Sequence, residues 1–171
     1  MINNFPLNHY ELAFENWLKD NHIPFAAADE HKRSEIDDSQ VKGFDFLLKP
    51  PGCKPIIAEV KGRKFKGTSF ENLTGFECWV TKDDVNGLSK WKQYFGDCNA
   101  VFLFAYMIEN IDVDFDGREV YYFDSNRYVF FAIMLEDYQK YMKRRSPKWK
   151  TVTLAADHFR ECSIEAVKLL G

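Results

Sequence analysis

Asp45, Glu59 and Lys61 are the residues of this chain whose types and spacing could do chemistry. In an extended strand alternate residues share a face. Glu59 and Lys61 of the run Pro-Ile-Ile-Ala-Glu-Val-Lys (55–61) therefore point one way, while Ile56, Ala58 and Val60 point into apolar packing. Asp45 stands between Phe44 and Phe46 in the preceding run, and hairpin pairing of the two runs could bring its carboxylate beside Glu59, in a register that the sequence does not fix. Two carboxylates so close repel each other, and burying them among apolar neighbours is costly unless a cation lies between them. Oxygen ligands suit a hard divalent ion, magnesium or manganese. Such an ion lowers the pKa of a coordinated water, while Lys61 positions that water or offsets charge building on a phosphate. The chemistry this spells is phosphodiester hydrolysis.

Glu-x-Lys alone is a weak signal, because Glu30-His31-Lys32 satisfies it inside a polar connection with no strand around it. The plain alternative for Asp45, Glu59 and Lys61 is a surface salt bridge on an exposed sheet face, contributing ~0–1 kcal/mol. Context has to decide, and the context is the set of elements that must position the three residues.

Asn8 and Glu11 have capping-box spacing and Leu7 and Leu12 sit where a hydrophobic staple would, predicting a helix from His9 to about Asp20. Its apolar face is Tyr10, Phe14, Trp17 and Leu18. Ile23–Ala28 reads as a short strand, and Asp29 to Gln40 as a charged connection. Val41–Lys49 and Pro55–Lys61 read as two strands joined in a hairpin by Pro50, Pro51 and Gly52. After a long segment from Gly62 to Trp79, Thr81 with Asp84 suggests an N-cap, Val85, Leu88, Trp91 and Phe95 follow a helical period, and Gly96 ends the helix. Ala100–Met107 is an unbroken apolar run, expected to be a central strand buried on both faces. Beyond it, Ile111–Phe115 and Glu119–Phe123 flank Asp116-Gly117 as an expected hairpin, Arg127–Ile133 reads as one more strand, and the tail as helix, short strand, helix.

The order to residue 107 is thus helix, three strands, helix, strand, with Asp45 and Glu59 on the second and third strands. Over about residues 8–107 this resembles the PD-(D/E)XK phosphodiesterase superfamily, although Gly43-Phe44-Asp45 replaces the Pro-Asp dipeptide of its name. The resemblance implies an α/β fold with a restriction-endonuclease-like core (αβββαβ, a central mixed sheet flanked by helices) and a C-terminal β-hairpin and helix extension over 108–171. It also implies Asp45, Glu59 and the Val60 carbonyl as ligands of Mg, with Mn as a substitute, and Lys61 as the catalytic amine. The start of the chain looks like archaeal Holliday-junction resolvases, whose acidic residue in the first helix corresponds to Glu11. That likeness makes Glu11 an outer contributor to catalysis, while the capping box explains it equally well.

At 171 residues and 46% hydrophobic, with 16 Phe, 8 Tyr and 4 Trp, the chain can bury a sizeable core and is expected to form a single domain, 1–171. No apolar stretch approaches the ~18 residues of a membrane span, so a soluble cytoplasmic protein is expected. Cys53, Cys78, Cys98 and Cys162 have no metal or redox spacing and read as buried reduced thiols. A net charge of -3 argues against a protein that coats nucleic acid through a large basic surface, so any nucleic-acid contact is expected to be a local patch. Arg63, Lys64 and Lys66, following Lys61, could be that patch or a solvated loop.

Asp112, Asp114, Asp116 and Gly117 resemble half a calcium loop, but Phe123 stands where the bidentate Glu belongs, so an acidic hairpin is the better reading. His9 needs no functional explanation, and the facing of Gln93 in the second helix is not fixed by its phase. The functional expectation is a magnesium-dependent nuclease acting on DNA. Its rival is a catalytically inactive nuclease-like domain that binds nucleic acid or a protein partner. The aromatics of 108–171 exceed what a minimal nuclease core requires, and a homodimer through that extension is one use for them.

Overall fold

The computed structural model describes residues 8–28 and 43–171. Leu7, Val41 and the connection holding Glu30-His31-Lys32 lie outside the described residues.

Helix α1 (His9–Asp20) starts where the cap predicts, with Asn8 Oδ1 accepting the Glu11 N–H at 2.9 Å. Its Ala13, Phe14, Trp17 and Leu18 are buried, as the helical stripe requires. Three strands follow: β1 (Phe25–Ala27), β2 (Phe46–Leu48) and β3 (Ile56–Phe65). The first two are shorter than the sequence suggested, and β3 runs four residues further, because the parallel strand β5 (Asn99–Ile108) pairs it along its whole length. Between them lie β4 (Val80–Thr81) and helix α2 (Lys82–Phe95), the crossover that a parallel pair demands.

Strand β5 is central, as its unbroken apolar run predicts, with β3 on one side and β7 (Asn126–Met134) antiparallel on the other. The sheet order is β1-β2-β3-β5-β7-β10, with β6 (Tyr121–Phe123) also on β7 and β10 being Ile164–Glu165. This is an α/β fold with a central mixed sheet flanked by helices. One face carries α1 and α5 (Ala166–Leu170); the other carries α2, α3 (Leu135–Tyr141) and α4 (Ala156–Cys162). Along β3 the alternation sorts side chains cleanly. Ile56, Ala58 and Val60 join the α1 layer, and Ile57 and Phe65 join the α2 layer.

Two expectations fail in instructive ways. Asp116-Gly117 does turn, with positive φ at both residues and Arg118 N–H bonded to the Phe115 carbonyl at 3.0 Å, but the segments it joins do not pair as a hairpin. Asp114 bridges Ser69 instead, and Tyr121–Phe123 pairs with β7 through a tight turn at Asp124 and Ser125, both at positive φ. The tail holds more than helix, strand and helix. After α3, β8 (Lys143–Ser146) and β9 (Thr151–Thr153) form a hairpin that extends β4 into a second, three-stranded sheet.

Many aromatics of the C-terminal extension fill core, Tyr128, Phe131, Tyr138 and Phe159 each being at most 1% exposed, whereas Tyr122 and Trp149 are 72% and 67% exposed. Of the cysteines, three are buried but Cys53 is exposed, at the turn after β2, which corrects the expectation for that thiol. Among the described residues no helix is long and apolar enough to cross a membrane.

Candidate active site

Asp45 sits in a bend immediately before β2 rather than inside a strand. Phe44 packs in the α2 layer, edge to face with Trp91 at 5.1 Å, whereas Phe46 packs in the α1 layer against Phe14 at 5.6 Å. Residues two apart in a strand share a face, so the alternation slips at Asp45. The hydrogen bonds give the reason. Asp45 N–H bonds the Ala58 carbonyl at 2.9 Å, its own carbonyl turns outward to Ala28 N–H, and its side-chain Oδ2 accepts the Val60 N–H at 2.8 Å. The carboxylate has taken the place of the backbone acceptor that a continuing β2 would offer. Val60 N–H and C=O leave the same edge of β3, so the Val60 carbonyl also points to the side where β2 has ended.

Glu59 and Lys61 lie on the α2 face of β3, the same face as each other, as alternation predicts. The Lys61 ammonium is 3.8 Å from Glu59 Oε1 and 2.9 Å from Asp84 Oδ2. The Glu59, Lys61 and Asp84 side chains are 12%, 16% and 1% exposed, which removes the reading of an exposed surface salt bridge. Asp84 enters as the third residue of α2, in a complete capping box: its N–H bonds Thr81 Oγ1 at 3.0 Å and its Oδ2 accepts the Thr81 N–H at 2.8 Å.

Asp84 is the residue that sequence reasoning missed as part of the site, because the cap already explained it. The available signal was its phase. Asp84, Leu88 and Trp91 recur at i, i+4 and i+7, which puts the carboxylate on the buried stripe of α2. Gln93, by the same phase, is exposed and away from the cluster.

Glu11 lies on the other side of the sheet, in the first turn of α1, with its Oε1 3.3 Å from the Asn8 side-chain amide. Its neighbour Tyr10 reaches the strand one residue beyond Lys61, where a Cβ on Gly62 would stand 2.0 Å from the Tyr10 ring. Close approach is why glycine stands at that position. His9 is occupied by a 2.9 Å hydrogen bond between its Nδ1 and the Tyr128 hydroxyl.

The three cations after Lys61 diverge. Arg63 is half-buried, bonded to the Gly62 and Trp79 carbonyls and stacked on Trp79 at 3.9 Å, and its burial draws the guanidinium pKa below the ordinary value. It is a structural cation. Lys64 pairs with Glu109 at 3.4 Å across an exposed surface, and Lys66 is exposed where β3 has ended. Tyr10, Gly62, Lys64, Lys66, Arg63 and Trp79 line an open cleft of about 510 Å³ on this flank.

The donor chemistry fits a small hard cation. Asp45 and Glu59 offer carboxylates and Val60 a main-chain carbonyl, all oxygen. Among the described residues no three His, Cys, Asp or Glu side chains gather into a cage. One or two carboxylates completed by water and substrate phosphate is a usual set for magnesium.

No family model matches this chain, and neither a curated protein nor a solved structure does.

Proposed function

We propose that this chain is a magnesium- or manganese-dependent nuclease, hydrolysing phosphodiester bonds of DNA from a restriction-endonuclease-like core. The observation that carries the reading is the partly buried Glu59 and Lys61 sharing one face of β3 beside the point where β2 stops at Asp45. Asp45 has a structural use in accepting the Val60 N–H, and what supports the reading is that this places a second carboxylate beside the Glu59 and Lys61 pair.

Asp45, Glu59 and the Val60 carbonyl would hold the ion. When bound, it supplies an acidified water and Lewis-acid stabilisation of the phosphoryl oxygens. Lys61 presents a fixed positive charge to the phosphate as negative charge accumulates on it. Asp84 is a positioning residue: its 2.9 Å contact holds the Lys61 ammonium in one place, and the capping box holds Asp84. Glu59 sits on the other side of that ammonium at 3.8 Å, so loss of Glu59 removes a metal ligand and also frees Lys61 to shift.

A second reading draws on the same contacts. Lys61 is already neutralised by Asp84, and Asp45 is already engaged by the Val60 N–H. A nuclease-like domain that binds without cutting would be built this way too.

One experiment separates the two. Wild type and Glu59→Ala, each checked for cooperative unfolding, are titrated with Mg2+ and Mn2+ by calorimetry and then incubated with plasmid, single-stranded and branched DNA. Metal binding and cleavage by wild type, both abolished in the variant, would establish the nuclease. Folded wild type that binds neither ion, even with DNA present, and cuts nothing would hand the site to the non-cutting reading.

A further inference from the structure

We propose that the β8–β9 hairpin is a nucleic-acid arm, gripping the phosphates of a strand with unpaired bases while Trp149 stacks on one of them. Residues 143–150 hold Lys143, Arg144, Arg145, Lys148 and Lys150 in a chain whose net charge is -3. Among the described residues none of these five cations pairs with a carboxylate. Trp149 stands at the tip and is 67% exposed, with the Lys148 ammonium 5.1 Å from its ring.

A basic edge strand has a plain use, since lysines on an edge discourage strand-to-strand aggregation. That use does not explain an exposed indole, which works against it. Unpaired cations beside an accessible aromatic are the combination that tracks a phosphate backbone and stacks its bases. Duplex DNA keeps its bases stacked on one another, so the indole has a partner only where bases are unpaired.

The arm is fixed, and fixed to the site. Its register with β9 shifts between Arg144 and Ser146, a bulge that re-aims Arg145 over Trp79 at 5.0 Å, the ring on which Arg63 also stacks. Val152 and Thr151 pair with Val80 and Thr81, and the Lys150 carbonyl accepts the Lys82 N–H at 2.9 Å. The hairpin is thereby tied to the first turn of α2, which carries Asp84, and Arg145 meets the cleft at Trp79, one of its lining residues.

The inference rests on the nuclease reading only for what the held strand is for. Binding by the arm needs no metal, so it is tested in chelator, where loss of cleavage cannot be mistaken for loss of binding. Anisotropy of labelled single-stranded and duplex oligonucleotides of one sequence is read against salt, for the full chain and for variants with unchanged thermal unfolding. Single strand is expected to bind more tightly than duplex. Combining Lys143→Ala, Arg144→Ala and Lys148→Ala should flatten the single-strand slope of log affinity against log salt by about 2, at ~0.7 for each phosphate no longer neutralised. Trp149→Ala should weaken single-strand binding about tenfold and Trp149→Phe restore most of it. Unchanged slope and affinity in these variants, or tighter binding to phosphatidylserine vesicles than to either oligonucleotide, would overturn the proposal.

Discussion

Oδ2 of Asp84 serves two partners at once: it lies 2.9 Å from the Lys61 ammonium and accepts the Thr81 N–H at 2.8 Å. One oxygen thus joins the start of α2 to the middle of β3. Asp84→Ala should cost about 3 kcal/mol in urea unfolding, the lower end for breaking a buried pair, because Lys61 keeps some exposure to solvent. Adding Lys61→Met should recover only part of that loss, since it removes the stranded ammonium but also takes that cation away from Glu59, 3.8 Å on its other side. A single-variant cost below that of an ordinary surface change would mean the pair is not an anchor.

Gly62→Ala puts a methyl group into the Tyr10 ring, against a contact that would stand at 2.0 Å. The expected cost is about 1–3 kcal/mol, the range for overpacking. It should shrink in a Tyr10→Ala background, which chemical denaturation of the four proteins in that cycle would show.

Burial, together with the 2.6 Å hydrogen bond that its hydroxyl donates to Asp20, pushes the Tyr121 pKa from an ordinary 10.0 up to about 12. The folded chain therefore holds the phenol proton more tightly than the unfolded chain does. Its contribution is intact below pH 10 and is lost as pH rises towards 12. Tyr121→Phe should lessen the alkaline fall in unfolding free energy over that window, without abolishing it, because Tyr128 and Tyr138 are also raised by burial.

Native protein treated with a thiol reagent at mildly alkaline pH should show one fast cysteine out of four. Cys53 is exposed, whereas burial raises the thiol pKa of Cys78, Cys98 and Cys162 and shields them. Cys53→Ser should remove the fast phase, and two fast thiols in wild type would contradict this packing.

The strongest periodicities were legible in the sequence. Helices α1 and α2 announce themselves through Asn8, Thr81 and their apolar stripes, and β5 through an apolar run with no polar interruption. The shared face of Glu59 and Lys61 follows from alternation alone. What alternation could not foresee is its own failure at Asp45, where a side chain displaces a backbone acceptor. Nor could the turn signal at Asp116-Gly117 say that the segments beside it would find other partners, Asp114 bridging the distant Ser69 and Tyr121 pairing with Tyr128 across the next turn along. The β8–β9 hairpin was hidden by composition. Lys-Arg-Arg-Ser reads as solvated charge, and only Val152 and Leu154, which bury behind it, make it a sheet.

The long connection after β3 has little regular structure, yet Phe70, Leu73, Phe76 and Cys78 within it are buried. Phe76 lies 4.4 Å from Phe65, 4.9 Å from Tyr106, 5.6 Å from Phe131 and 5.5 Å from Phe159, so this stretch is wedged into the aromatic core by a side chain that touches β3, β5, β7 and α4. The Phe70 amide, bonded to the Asp114 carbonyl at 2.8 Å beside this wedge, should exchange with solvent far more slowly than the exposed Glu71 and Asn72 amides next to it. The cleft wall this stretch forms, at Glu77 and Trp79, then comes ready-shaped, and a ligand settling there gives up little free energy to ordering the protein.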